Sequence, residues 1–341
     1  GREARRESNT MPQWAGSSWY FLAYVLKSKI KNQKSKDFFD TEMLRKWLPV
    51  DLYVGGIEHA VLHLLYARFW TKFLYDIGVI KIQEPFKHLF NQGMIYRMGA
   101  KMSKSKGNVV SQEEIVEKYG TDTLRAYELF IAPPEQDAEW QDNGVPGVYK
   151  FLKKVWVLGQ EILPHSKKLI KPEILLSESF EIGETELQTQ THMVIKKYNE
   201  DLARFHYNTL VSTLMEFTNY LNGKKELLKK YPEPLYILIT LLSPLCPHIA
   251  EEMWDMAGFD ASIFSGKYGW PQHDEKYLTE DIVTIVVQEN GKHRGQIEAP
   301  FDTTEKDIIA ICRNSAKFTS MCDSSKRIIL VKNRLINFVT K

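Results

Sequence analysis

Residues 99–108, GAKMSKSKGN, place Lys101, Lys104 and Lys106 among Gly99, Ser103, Ser105 and Gly107. The stretch has no apolar period and so belongs to neither a core helix nor a core strand. Glycines and small side chains let backbone N–H groups and ammonium groups approach one anion closely. The chemistry that uses such a loop is the holding of a nucleotide's phosphates. The alternative is a solvated basic turn, which needs no special reason on a protein surface.

Two further stretches carry reactive or polar groups at telling spacings. In YVGGIEHAVLHLL, residues 53–65, the pair Gly55-Gly56 lets a ligand lie against the backbone. Glu58 then stands where acidic residues accept hydrogen bonds from ribose hydroxyls in dinucleotide folds. His59 and His63 are one helical turn apart, so both can face one ligand. A zinc site is disfavoured, because Ala60, Val61 and Leu62 replace the internal glutamate of an HExxH helix, and no metal is expected. In WAGSSWY, Trp14, Ser17 and Tyr20 recur every third residue. They form either an aromatic wall around a small apolar side chain or ordinary core packing.

The elements that must position these groups can be read from the flanking sequence. VDLYVGG, 50–56, reads as a short buried strand ending in a glycine turn. EHAVLHLLYARFWTKFLYDIG, 58–78, reads as one helix stopping at Gly78. FKHLFNQGMIY, 86–96, reads as a second strand leading into the lysine loop. Strand, helix, strand and phosphate-type loop make a parallel α/β unit with its ligands at the carboxyl ends of the strands. MPQWAGSSWYFLAYVL, 11–26, is an aromatic turn entering an apolar helix, and the lysine run 27–36 reads as a solvated loop rather than an RNA contact. Beyond Asn108, SQEEIVEKYGTDTLRAYELF reads as a helix pair opened by a Ser111–Glu114 capping box. Helical periods dominate 147–258, with polar loops around 165–190 and 222–234. Asn290-Gly291 marks a hairpin over 281–300, and a helix near 304–314 with strands near 327–331 and 335–339 closes a small α/β domain.

Bulk properties bound the reading. The 341 residues suffice for two or three domains. Lys+Arg at 45 nearly balances Asp+Glu at 43, so any nucleic-acid surface must come from local clustering. Cys246, Cys312 and Cys322 contain no CxxC pair, which argues against a zinc knuckle or disulfide framework and fits a reducing compartment. The opening segment lacks the apolar core of a secretory signal, and no apolar run is long enough to span a bilayer. A cytoplasmic protein without membrane contact is expected.

KMSKSKGN resembles the second signature loop of class I aminoacyl-tRNA synthetases. MPQWAGSSWYFLAY and DLYVGGIEHAVLHLLYARFW resemble specifically the bacterial-type leucyl-tRNA synthetases. The likeness continues through EEIVEKYGTDTLRAYELF, SPLCPHIAEEMW at 243–254 and VVQENGKHRGQIEAP, in the family's order. It implies a Rossmann-type half-sheet with the lysine loop over 1–110, a helical connector over 111–146, an α-helical anticodon-binding domain over 147–278 and a small tRNA-contacting α/β domain over 279–341. It implies ATP-dependent activation of leucine and transfer to tRNA(Leu), with ATP and Mg²⁺ as substrate complex and no tightly bound cofactor. Lys101 and Lys104 match the signature lysines. Gly56 and Glu58 match ribose contacts and His63 a histidine near ATP. Met94 and Ile95 fall where backbone meets adenine, and Met102, Ser103 and Ser105 complete the loop's ATP contacts. Trp14, Ser17, Tyr20 and His59 match the leucine pocket. Lys292, Arg294, Lys332 and Arg334, with His293, Lys326 and Arg327, form either a tRNA phosphate-binding face or a solvated basic surface, and SPLCPHIAEEMW is expected to be a core helix of the bundle.

The first class I signature, His-x-Gly-His, does not occur among the nine histidines. Only RMGA separates Tyr96 from Lys101, so an insertion that some members carry there is missing. The first half-sheet, the acidic residue for leucine's amino group and the editing insertion are expected before residue 1. The chain is therefore expected to be a subunit or C-terminal part that requires an N-terminal half for activity. The competing reading is a non-catalytic tRNA- or RNA-binding module derived from a synthetase.

Overall fold

The structure, a computed structural model, describes residues 14–30, 41–166, 182–278, 282–301 and 303–340, together with residues 3 and 5. The chain divides into two compact units, Gly1–Tyr149 with Phe205–Val211, and Lys150–Arg204 with Ser212–Lys341.

In the first unit, helices α1 (Trp14–Ser17), α2 (Tyr20–Ile30) and α3 (Thr41–Trp47) precede strand β1 (Val50–Gly56). A 3₁₀ turn, Ile57–Val61, leads into α4 (His63–Asp76), and β2 (Phe86–Gln92) returns parallel to β1. Phe21, Leu22, Leu44, Leu48, Ala67 and Ile80 form the core of this α/β unit, with Tyr20, Val50, Leu74 and Phe86 packed around them. The single helix expected from residue 58 is broken, because Leu62 leaves helical geometry at φ −115° and ψ −105°. Its end agrees with the sequence, where Gly78 takes a left-handed φ of 76°. The buried strand expected at 50–56 is instead open, with Leu52 and Val54 exposed.

The strand expected over 86–96 also divides. Gly93 donates its N–H to Pro134 O at 2.8 Å, and a Cβ there would lie 2.1 Å from Gln136 O. That approach to another backbone ends β2 and starts a second sheet. In it β3 (Ile95–Arg97) pairs antiparallel with β4 (Ala100–Lys101) and parallel with β5 (Ala138–Glu139). Helices α5 (Gln112–Tyr119) and α6 (Thr121–Phe130) follow the lysine loop. Ser111 Oγ caps α5 by accepting the Glu114 N–H at 3.2 Å, but its hydroxyl faces Glu113, so only half of the expected capping box forms.

A helical region runs through α7 (Val145–Ser166), α8 (Thr185–Ala203), α9 (Tyr207–Asn222), α10 (Lys225–Lys230), α11 (Glu233–Leu242) and α12 (Pro247–Met256). Pro234 to Leu242 are buried without interruption, as befits a helix apolar on every side. In SPLCPHIAEEMW, Leu245, Cys246, Ala250, Met253 and Trp254 are core residues, and Trp254 stacks on Phe259 at 3.8 Å. Two expected loops are shorter than read. Residues 225–230 are helical, and α8 starts at Thr185 under a Glu184 cap, while 167–181 lie outside the described residues. Residues 27–30 of the lysine run continue α2, and 31–36 lie outside the described residues.

The C-terminal sheet has the order β7-β6-β9-β8, with β6 (Ile282–Glu289), β7 (Lys292–Pro300), β8 (Arg327–Val331) and β9 (Leu335–Val339). Asn290 and Gly291 take φ values of 49° and 80°, the left-handed pair that a two-residue hairpin requires. Helices α13 (Glu305–Asn314) and α14 (Thr319–Ser324) supply Ile308, Cys312, Met321 and Cys322 to the core over the sheet. The second of these helices is not evident from the sequence.

Candidate active site

Parallel pairing of β1 and β2 sets the site's edge. The register places Gly55 opposite Asn91 and Gly56 opposite Gln92, so both strands end flush at their carboxyl ends. Gly56 is bounded by a specific contact, since a Cβ there would meet Glu58 Oε2 at 2.3 Å. Glycine thus lets the Glu58 carboxylate fold back over the strand end, where it stays exposed and able to accept hydrogen bonds.

Residues from α1, α2, β1 and α4 meet beside that edge. The Trp14 ring packs edge-on against His59 at 5.6 Å, and His59 packs edge-on against His63 at 6.2 Å. Tyr20 lies 5.9 Å from His63, ring to ring. A hydrogen-bond chain then runs from Tyr20 Oη to Tyr53 Oη at 2.7 Å and on to His63 Nε2 at 2.6 Å. Burial, with a smaller contribution from neighbouring His59, holds the His63 pKa below its ordinary value, so its imidazole stays neutral. Burial raises the Tyr53 phenol well above its usual range. Nδ1 of His59 and Nδ1 of His63 are buried without a hydrogen-bond partner in the structure. Trp14, Tyr20, His59 and His63 therefore converge, while the Ser17 hydroxyl is spent on Trp14 O at 3.1 Å within its own turn.

The lysine loop is built on a hairpin. Tyr96 pairs with Lys101 and Arg97 with Ala100 around Met98 and Gly99, whose φ values are 56° and 67°. Asn108, buried to 4% exposure, closes the base. Its Nδ2 donates to the carbonyls of Arg97, Ala100 and Lys101 at 3.0–3.3 Å, and its Oδ1 accepts the Ser103 N–H at 2.9 Å. Lys104–Lys106 form one 3₁₀ turn ended by left-handed Gly107, and the Ser103 and Ser105 hydroxyls are 3.2 Å apart. Lys101, Lys104 and Lys106 are exposed, with no ion pair among the described residues, while Met102 is half-buried. The result is a rigid base carrying a row of ammonium groups toward solvent, the arrangement that receives a polyanion. No hydrogen bond or ion pair joins these lysines to the Trp14–His63 cluster.

Met94 and Ile95 sit between the cluster's strand and the loop. The Met94 N–H donates to Asp137 Oδ1 at 2.7 Å, and its carbonyl accepts from Ala138 N at 2.9 Å. Ile95 pairs with Ala138 in β3. In the C-terminal sheet, Lys292, His293 and Arg294 lie on β7 and Arg327 on β8, while Lys332 and Arg334 lie in the turn between β8 and β9. Lys292 stands opposite Glu289, whereas Arg334 O accepts from Val286 N, about 10 Å away along β6 at roughly 3.3 Å per residue. Arg294 donates from Nε and Nη2 to Glu289 Oε2 at 3.0 and 2.6 Å. Its charge is partly met inside the sheet.

Two residues central to this geometry escape a reading of spacing alone, Tyr53 and Asn108. Tyr53 reads as one apolar member of a strand, because nothing local shows that its hydroxyl reaches α2 and α4. Asn108 does end the quoted loop motif, and a buried amide after a lysine-glycine run is a signal for a stapled loop.

A family model for class I tRNA synthetases (I, L, M and V) matches residues 6–141, and one for the anticodon-binding domain of tRNA ligase matches 184–309. The leucine–tRNA ligase of Thermosipho melanesiensis is 47% identical over 350 residues, covering 100% of this chain and 41% of the relative. That of Thermotoga maritima is 44% identical over 353 residues, covering 99% and 41%. The crystal structure of a ternary complex of Agrobacterium radiobacter K84 agnB2 LeuRS with tRNA and LeuAMS superposes with a TM-score of 0.79 at 33% identity, covering 98% of this chain and 43% of that one. The chain thus spans about two fifths of the length of the relatives it matches. With both family matches in one sequence and leucine–tRNA ligases 44–47% identical over its whole length, it belongs to the class I leucyl-tRNA synthetase family.

Proposed function

We propose that this chain supplies the C-terminal part of a leucyl-tRNA synthetase, and that together with the N-terminal part it activates leucine with ATP and charges tRNA(Leu). The convergence of Trp14, Tyr20, His59 and His63 beside the flush carboxyl ends of β1 and β2 carries the reading. In activation, leucine's carboxylate oxygen attacks the α-phosphorus of ATP, the bond to the bridging oxygen breaks, and pyrophosphate leaves. No protein nucleophile is required, so the protein's work is alignment and charge stabilisation. Gly56 and Glu58 hold the ribose, and Met94 and Ile95 border the adenine. His63 faces the nucleotide. Trp14, Ser17, Tyr20 and His59 line the leucine side-chain pocket. Lys101 and Lys104, with Met102, Ser103 and Ser105 shaping the turn, close on the phosphates of the Mg²⁺–ATP substrate and reopen for release. The helical region approaches the tRNA, and Lys292, Arg294, Lys332 and Arg334 contact its backbone through phosphates. This reading places the chain in the cytoplasm.

Leucine-dependent ATP–pyrophosphate exchange tests it. The chain alone is expected to be silent and the mixture with the N-terminal part active. Lys104→Ala in the mixture is expected to lower exchange by roughly 10²- to 10³-fold, as for loss of one charge-stabilising group, without weakening tRNA binding. Exchange by the chain alone removes the need for a partner half. Isoleucine- or valine-driven exchange would reassign the amino acid, and a silent mixture with intact tRNA binding would favour a non-catalytic RNA-binding module.

A further inference from the structure

Tyr53 is held from three sides. Its backbone is paired with Leu89 in the β1–β2 ladder, its ring stacks on Phe86 at 4.0 Å, and its hydroxyl sits between Tyr20 Oη and His63 Nε2. Both ends of that hydroxyl's chain open helices, Tyr20 that of α2 and His63 that of α4. The direction of the protons follows from relative acidity. A phenol is a stronger acid than a neutral imidazole N–H, which favours the Tyr53 O–H as donor and Nε2 as acceptor in the 2.6 Å contact. With its hydrogen committed, the Tyr53 oxygen accepts from Tyr20. Burial disfavours the charged form of His63, and the neutral imidazole carries one proton. Since Nε2 is the acceptor, that proton sits on Nδ1. Nδ1 is buried and unpartnered in a residue only 6% exposed, so it is an N–H donor with no acceptor among the described residues. An unmet buried donor carries a desolvation cost that a ligand oxygen removes.

We propose that Tyr53 is a positioning residue of the site, holding His63 in the Nδ1–H tautomer so that a buried N–H is presented to an anionic oxygen of the bound ligand. The oxygen belongs to a carboxylate or a phosphate, and the assignment of those ligands rests on the adenylate-site reading above. The tautomer itself does not.

Long-range ¹⁵N–¹H correlation spectra of the ¹⁵N-histidine-labelled chain report the tautomer directly, with His63 assigned through His63→Gln. The wild-type chain is expected to show a protonated Nδ1 and a bare Nε2 at His63. Tyr53→Phe is expected to shift His63 to the other tautomer or to a mixture, and Tyr20→Phe to leave Nδ1–H in place. A wild-type His63 protonated at Nε2 overturns the proposal without any variant, as does a Tyr53→Phe spectrum unchanged from wild type. In the enzyme completed by the N-terminal part, Tyr53→Phe is expected to lower the efficiency of exchange about tenfold, the scale of one lost hydrogen bond. The loss falls on KM for ATP if a phosphate is the acceptor and on KM for leucine if the carboxylate is. Unaltered exchange in Tyr53→Phe overturns the positioning role. A wild-type enzyme without exchange removes the adenylate reading and leaves the tautomer result standing.

Discussion

Asn108 shows how one side chain can set the behaviour of a loop whose charged residues attract attention first. Its amide spans the base of the lysine hairpin with hydrogen bonds to three carbonyls and one N–H, all from a buried position. Replacing it by alanine leaves those backbone groups to water or to one another, a change on the order of 1–2 kcal/mol in the local opening of the loop. Asn108→Ala is therefore expected to speed tryptic cleavage after Lys101, Lys104 and Lys106 by about tenfold, while thermal unfolding of the whole chain moves little. Equal cleavage rates would mean that the hairpin turn at Met98-Gly99 suffices to hold the loop. At this scale the sequence was informative where a residue acts through its neighbours in the chain. Gly56 and Glu58 are two positions apart, and their coupling is local. The Lys101–Lys106 cluster is local as well. Tyr53 acts through Tyr20 and His63, 33 and 10 positions away, and Arg294 through Glu289 across a hairpin. Such pairings are fixed by where the elements pack and leave no trace in spacing.

At the scale of elements, legibility followed the strength of local backbone signals. The stop at Gly78 and the Asn290-Gly291 hairpin formed as expected, because glycine and asparagine take left-handed geometry at little cost, while Val50–Gly56 formed as a strand but not a buried one. The division at Gly93 was hidden, since it answers to the backbone at Pro134–Gln136, and the break at Leu62 carries no glycine or proline to announce it. The apolar pattern of α4 misled in an instructive way. His63, Ala67 and Thr71 face inward, while Leu65, Phe69 and Phe73 recur every fourth residue on the open side, with Phe69 67% exposed. Leu52 and Val54 on β1 and Leu89 on β2 are exposed too. Periodicity reports an apolar stripe but not which surface covers it. An outward row of this size binds hydrophobic dyes and promotes self-association. Substituting Phe69→Ser and Phe73→Ser together is expected to lower dye fluorescence and self-association, with stability altered by no more than about 0.5 kcal/mol per site. A drop in melting temperature of many degrees would instead show that these rings support the fold of the chain itself.

For the whole molecule, the near balance of Lys+Arg at 45 against Asp+Glu at 43 decides what kind of RNA binding is possible. A nearly neutral chain exerts little long-range attraction on a polyanion, so affinity must come from cations gathered on a few surfaces. The anticodon-binding match over 184–309 and the class I match over 6–141 fall on separate segments of a chain that spans two fifths of the length of its relatives. Binding of tRNA and activation of leucine should therefore separate. The chain alone is expected to bind tRNA(Leu) with an affinity that falls as salt rises. In the C-terminal sheet, Lys292 and Arg334 are about 10 Å apart along β6, further than one phosphate spans, so in the proposed RNA contact each would meet a different phosphate. Lys292→Ala and Arg334→Ala should then act independently, each reducing the slope of log K against log salt by about 1. Arg294→Ala should have a smaller effect, because Glu289 already meets part of its charge. Fluorescence anisotropy at several salt concentrations measures all three. If Arg294→Ala proves the most damaging and the two outer substitutions leave the slope untouched, the sheet meets RNA through its hairpin centre. If no slope changes, the helical region carries the contact alone.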